Sequence, residues 1–240
     1  MVRYLGPERA STLVLSRRPE AVTSSGRVQA WLIGSGMAAI GADPVGLGSS
    51  GTPGGPGTPG SLGSAGESRE AIADAVAQQV PFILDGGALD LVASTHGPIV
   101  ITPHFRELAR MLAVDPSEIA KDPAIAASRA ADQLGVTVLL KGHTTFVAAP
   151  DGTRLSTTAA PTWLATAGAG DALGGILGAL VATHADAIDG DPSLLAQLAA
   201  SASLLHGLAA ERASAGGPFT VLALTAALPA TIAALLAGIR

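Results

Sequence analysis

The chain has 240 residues and a mass of 23.6 kDa, with 48% hydrophobic residues, a mean hydropathy of +0.44 and a net charge of −5. That length fits one large domain or two small ones, with ample apolar chain for a buried core and far too much for a disordered polymer. Only 14 Lys and Arg oppose 19 acids, cysteine is absent and aromatics are 3%; this excludes a phosphate-neutralising basic stripe, disulfide and thiolate chemistry, and a base-stacking platform.

The chain opens with two short apolar runs, residues 11–15 and 30–33, bounded by Gly, Pro or Ser and expected as strands. Residues 41–66 hold ten Gly and four Pro in 26 positions. Such a segment buries too little apolar surface to offset its ordering entropy, so a flexible insertion inside a single domain spanning 1–240 is expected there. A helix is predicted over 69–79, a buried strand over 81–84 ending at Asp85, a short helix over 88–94, and a second buried strand over 98–101. Helices follow over 104–112 and 115–134, the latter opening with Asp115 as N-cap, Pro116 at N1 and Glu118 at N3. Residues 136–140 form a third buried strand, and 145–149 with 153–156 a hairpin turned at Pro150-Asp151-Gly152. From there the chain reads as helical, over 169–184, 192–213 and 224–239.

Strands apolar on both faces and alternating with helices indicate an α/β fold with a mostly parallel sheet covered on each side. Ligands of such sheets bind beyond the carboxyl ends of the strands, here Asp85, Thr102 and Lys141. The N-terminal 18 residues carry charges throughout and no apolar h-region. The apolar stretches 173–182 and 222–239 are interrupted by Gly, Thr or Pro and are expected to fall short of a membrane span. A soluble, cytoplasmic protein without nucleic-acid or membrane partners is the expectation.

Four motifs carry chemistry. Thr166-Ala167-Gly168-Ala169-Gly170-Asp171 is a glycine turn opening a helix, whose free N–H groups attract phosphate oxygens, with Asp171 placed to take a proton from an attacking hydroxyl. The same spacing equally suits a turn with a helix-capping Asp. Lys141 ends a buried strand and is one of only two lysines, with Lys121; together with Gly142, His143, Thr144 and Thr145 it suits a phosphate or ribose contact. A solvated strand-end lysine is the alternative. Thr102-Pro103-His104-Phe105-Arg106-Glu107 opens a helix at another strand end, with His104 a candidate substrate contact and Glu107 a candidate for holding a metal-bound water, although capping alone explains Glu107. Gly34-Ser35-Gly36 is a strand-to-turn Gly-x-Gly that lacks the third glycine and the later acid of a dinucleotide-binding fingerprint. His96, His184 and His206 show no metal-ligand spacing and are read as structural.

In this order the four motifs resemble those of the ADP-dependent (or ATP-dependent) NAD(P)H-hydrate dehydratase family, which has a ribokinase-like three-layer fold. The resemblance extends from about Val2 to the end, interrupted at 41–66. It also includes Leu84-Asp85-Gly86-Gly87-Ala88-Leu89 and His206-Gly207-Leu208-Ala209. The family's further N-terminal segment has no counterpart ahead of Val2; Ser35, Gly87 and Ala223 stand where it commonly has Pro, Asp and Asp. The resemblance implies a hydro-lyase that restores hydrated NADH or NADPH at the expense of ADP or ATP, with Mg²⁺. It implies Asp171 as the catalytic base; Gly36, His104 and Asp171 around the hydrated substrate; and Lys141, Gly142, His143, Thr144, Thr145, Gly168 and Gly170 on the nucleotide. A homo-oligomer and an association with an epimerase domain are implied as well. The Gly-x-Gly-Asp element alone is shared with sugar and vitamin kinases, so a small-molecule kinase and an inactive nucleotide-binding relative are the alternatives.

Overall fold

The computed structural model describes residues 1–34 and 65–238. Most of the 41–66 insertion, together with Ser35 and Gly36, lies outside the described residues. The chain groups into two compact units, Met1–Val28 with Gly41–Gln79, and Gln29–Ile40 with Val80–Arg240.

In the first unit, α1 (Glu8–Arg17) contains the 11–15 run that the sequence reading takes as a strand. The correction has a local cause. Glu8 sits in the first turn and Arg17 in the last, as the helix dipole prefers. The Thr12 hydroxyl also donates to the Glu8 carbonyl one turn back. A five-residue apolar run cannot by itself distinguish helix from strand. Helix α2 (Ala65–Ala77) covers most of the predicted 69–79 helix. Beyond it the Gln78 side chain accepts from the Val28 N–H at 3.2 Å and donates to the Gly26 carbonyl at 3.3 Å.

The second unit is built on six strands in the order β1 (Trp31–Ile33), β2 (Phe82–Leu84), β3 (Ile99–Ile101), β4 (Thr137–Leu140), β5 (Thr145–Ala148) and β6 (Arg154–Thr157). The first four are parallel, and the β5–β6 hairpin adds to β4 antiparallel. Alternation along each strand splits its side chains between two layers. Ile83, Val100, Leu139 and Val147 pack under Leu173, Leu177 and Val181 of α6 (Ala169–Thr183), Ile188 of α7 (Ala185–Gly190), and Leu195 and Ala199 of α8 (Leu194–Ser214). On the opposite face Ala126, Ala127, Ala130 and Ala131 of α5 (Pro123–Leu134) are buried where that helix lies against β4 and β5, and the 3₁₀ segment Gly86–Ala93 lies against β2 and β3. This is the three-layer arrangement, with a mostly parallel sheet covered on both faces, expected from the sequence.

Two helical expectations are corrected. The predicted 115–134 helix is two helices, α4 (Pro116–Lys121) and α5, meeting at Asp122. Pro123 has no N–H to continue α4, and it pushes Asp122 out of helical geometry to φ −147°, ψ 84°. Asp122 then caps α5 by accepting from the Ile125 N–H at 3.0 Å, repeating the Asp-Pro device of Asp115 and Pro116. The region after 157 is not wholly long helices either: a 3₁₀ turn spans Thr162–Leu164, and His184 ends α6 and starts the separate α7.

The last helix, α9 (Val221–Gly238), runs through Pro229 without interruption. Among the described residues it is the one helix long and apolar enough to cross a membrane, and 11% of it is buried, so the expectation that 222–239 falls short of such a length is also corrected. Core helices of globular proteins pass the same test of length and composition.

Candidate functional site

Because β2, β3 and β4 run in parallel, their carboxyl ends open at one edge of the sheet, and the next residues meet there. The Thr102 hydroxyl and the Lys141 ammonium both donate to Asp85 Oδ1, at 2.7 and 2.6 Å. Backbone bonds hold the three loops in step: the Thr102 N–H donates to the Leu84 carbonyl at 3.0 Å and the Lys141 N–H to the Pro103 carbonyl at 2.8 Å. Asp85 and Thr102 are buried, whereas the Lys141 side chain keeps 22% of its surface exposed. A buried carboxylate is tolerable only when paired and hydrogen-bonded, and Asp85 is both.

The end of β1 lies against the Asp85 backbone, whose N–H donates to the Ile33 carbonyl at 2.9 Å. Gly34 adopts φ +122°, and a Cβ there would lie 1.6 Å from the Asp85 carbonyl oxygen, so only glycine fits. Gly36, expected on the substrate, lies outside the described residues.

His104 is the N-cap of α3 (Phe105–Leu112). Its Nδ1 accepts from the Glu107 N–H at 3.1 Å, and Glu107 Oε2 accepts from the His104 N–H at 2.7 Å, a reciprocal capping box. The same Glu107 oxygen lies 4.0 Å from Lys141 Nζ. Glu107 therefore serves the helix start and borders the lysine at once. His104, Phe105 and Arg106 on one side, and Lys141, Gly142, His143 and Thr144 on the other, line an open groove of about 720 Å³. Thr145 does not line it: it is the buried first residue of β5, paired with Thr157.

Helix α6 brings the glycine motif to the same place. Gly168 is its N-cap in the left-handed conformation, φ 82°, and has no side chain to cap the first turn. Two residues on, a Cβ at Gly170 would lie 3.8 Å from Lys141 Nζ and 3.9 Å from Asp85 Oδ2. Asp171, next in the chain, is exposed and lines a second groove of about 420 Å³, between α6, α8 and α9, with Ile176, Leu205, Leu228 and Ile232. The structure thus gathers Lys141, Gly170, His104 and Glu107 at one edge and places Asp171, in the same first turn of α6, on the second groove.

His206, in α8, is buried and lies against the backbone of Ala169. Burial pushes its imidazole down to about 4, against the opposing effect of a hydrogen bond to Ala169, and its Nε2 has no hydrogen-bond partner among the described residues. The ring is therefore neutral at physiological pH. Sequence reasoning put Asp85 and Thr102 at the strand ends where a ligand binds but gave neither a role of its own. The available signal was an acid and a hydroxyl directly after the fully apolar runs Phe82–Leu84 and Ile99–Ile101.

A family model for NAD(P)H-hydrate dehydratase matches residues 55–230. The chain belongs to the NAD(P)H-hydrate dehydratase family. The bifunctional NAD(P)H-hydrate repair enzyme Nnr of Mycobacterium tuberculosis is 36% identical over 195 residues, which are 76% of this chain and 35% of that protein. The chain therefore spans about a third of the length of this relative. The ADP-dependent (S)-NAD(P)H-hydrate dehydratase of Neisseria meningitidis is 34% identical over 140 residues, covering 55% of this chain and 45% of that one. Among solved structures, the ADP/ATP-dependent NAD(P)H-hydrate dehydratase of Bacillus subtilis, co-crystallized with ATP and Mg²⁺, superposes with a TM-score of 0.69 at 27% identity, over 93% of this chain and 75% of that one. A ribokinase-like superfamily protein of Enterococcus faecalis superposes with a TM-score of 0.70 at 21% identity, a likeness of fold.

Proposed function

We propose that this chain dehydrates hydrated NADH and NADPH back to the reduced cofactors, driven by ADP or ATP. One observation carries the reading beyond family membership: the strand-end Lys141 stands beside Gly170 in the first turn of α6. A cation beside a helix N-terminus is a phosphate-binding arrangement. In this reading Lys141, Gly142, His143 and Thr144 with Gly168 and Gly170 hold the nucleotide, Thr145 anchors that loop to β5, and Gly36, His104 and Asp171 surround the hydrated ring.

The chemistry is phosphoryl transfer followed by elimination. Asp171 takes the proton of the ring hydroxyl, whose oxygen attacks the terminal phosphorus as the P–O bond to the nucleotide breaks. The hydroxyl is a poor leaving group and its phosphate ester a good one. Departure of phosphate with the C–O electron pair, and loss of a proton from the neighbouring carbon, restore the ring double bond. The helix start and Lys141 stabilise charge on the transferring group.

Mg²⁺ would be bound with the nucleotide, and Glu107 would hold it through a water. The ion would supply charge neutralisation on the phosphates. The same proposal covers a single 1–240 domain, a cytoplasmic homo-oligomer and partnership with an epimerase domain.

The test is incubation with NADPH hydrate and ADP, following the return of dihydronicotinamide absorbance. Turnover is expected, and Asp171→Asn should lower kcat by about 10²–10⁴-fold with the circular dichroism spectrum unchanged. Phosphorylation of a vitamin alcohol without dehydration would make the chain a small-molecule kinase instead. Nucleotide-dependent thermal stabilisation without any turnover would mark it as a binding protein.

A further inference from the structure

We propose that Asp85 is the positioning residue of the site: it acts through Lys141, fixing the ammonium at the start of α6. The proposal rests on the reading above, in which the groove beside Lys141 takes an anionic nucleotide.

A free lysine is a poor anchor, because its four-carbon stem leaves the charge mobile. Here the stem ends on a carboxylate that is itself immobile. Asp85 follows β2 directly, its side chain is 12% exposed, and Thr102 holds the same Oδ1 from the neighbouring strand. The Thr102 hydroxyl also lies 3.4 Å from the Leu84 carbonyl, so the donor is tied to β2 on both sides of the contact. The result is a fixed row of Thr102, Asp85 and Lys141 across the ends of three parallel strands.

The geometry leaves the lysine usable. An ammonium has three N–H donors. One is spent on Asp85, while Glu107 at 4.0 Å is too far for a hydrogen bond. Two donors are left without a partner among the described residues, on a side chain that borders the groove. Asp85 Oδ2 lies on the Gly170 side of the same carboxylate. Asp85 thus places the cation beside Gly170 in the first turn of α6 and leaves most of its hydrogen-bonding capacity to a ligand.

The chain's two lysines make this testable without any ligand. Limiting acetylation, with each lysine-containing peptide quantified by mass spectrometry, reads Lys141 against the exposed Lys121 of α4 as an internal reference. In the wild type Lys141 is expected to react about tenfold more slowly than Lys121. Asp85→Asn should raise the Lys141 rate at least fivefold and leave Lys121 unchanged; an unchanged Lys141 rate in a folded Asp85→Asn protein overturns the proposal. Should Asp85→Asn fail to fold, Thr102→Val, which keeps both charges, should raise the rate about twofold, and no rise there overturns it equally.

A double-mutant cycle separates positioning from support of the fold. Asp85→Asn should weaken ADP binding about tenfold in the wild-type background and less than twofold in Lys141→Met. Equal losses in the two backgrounds overturn the proposal. If the wild type binds no ADP, the nucleotide reading fails, and the acetylation ratio still decides the role of Asp85.

Discussion

Replacing His206 should change how stability depends on pH, over a window that few other groups in this chain share. Its imidazole is held neutral by burial, at about 4 against an ordinary value of 6.5. The unfolded chain therefore binds one more proton than the folded one between those values. The contribution of the neutral ring is complete above pH 6.5 and is lost as pH falls toward 4. A displacement of about 2.5 units corresponds to roughly 3 kcal/mol in all, of which about 1 kcal/mol is lost by pH 5.5 and between about 2 and 3 kcal/mol by pH 4.5. Carboxylates with lowered values, Glu20, Asp115 and Asp151, start from 4.5, 3.8 and 3.8. Their stabilisation is lost only as pH falls below those values, at or beneath the lower end of the window. Urea melts monitored by circular dichroism at about pH 7.5, 6.5, 5.5 and 4.5 should show the wild type losing stability through this range. His206→Gln, less stable at neutral pH, should show a nearly flat profile down to about pH 5. Parallel profiles for the two proteins would refute the assignment of the pH dependence to this ring.

Three further outcomes follow from the geometry. Gly34→Ala forces a Cβ against the Asp85 carbonyl in a left-handed backbone and should cost at least about 3 kcal/mol by chemical denaturation; a loss below about 1 kcal/mol would show that the β1 turn moves freely. Asp122→Ala removes the side-chain cap of α5 and should cost about 1 kcal/mol with nucleotide affinity unchanged, measured by urea melts and calorimetric titration. Lys141→Met should weaken ADP binding about tenfold without abolishing it, so that the stabilisation ADP gives the wild type, roughly 2.7 kcal/mol at about 100-fold excess over Kd, falls to roughly 1.4 kcal/mol at the same ADP concentration; a full rise in Tm in the variant would remove Lys141 from the nucleotide site.

Much of this protein was legible in the linear chain, because short-range rules govern those features. The three buried strands, the hairpin at Asp151-Gly152, the Asp115 cap and the long C-terminal helices follow from hydrophobic period and cap chemistry within a few residues. The candidate site residues stood out by scarcity and by placement after apolar runs. What the linear chain left open rests on ambiguous local signals and on contacts between residues far apart. Residues 11–15 are too few for their period to choose between helix and strand. The break at Asp122 depends on a steric effect that outweighs the helix-forming alanines around it. The hydrogen bond between Asp85 and Lys141 joins residues 56 apart. Only the parallel register of β2, β3 and β4 brings those strand ends to one edge, and only the packing of α6 over that sheet sets Gly170 beside them. Charge pairing acts through space and leaves no period in a sequence, so the residue types were readable while their partnership was decided by the tertiary structure.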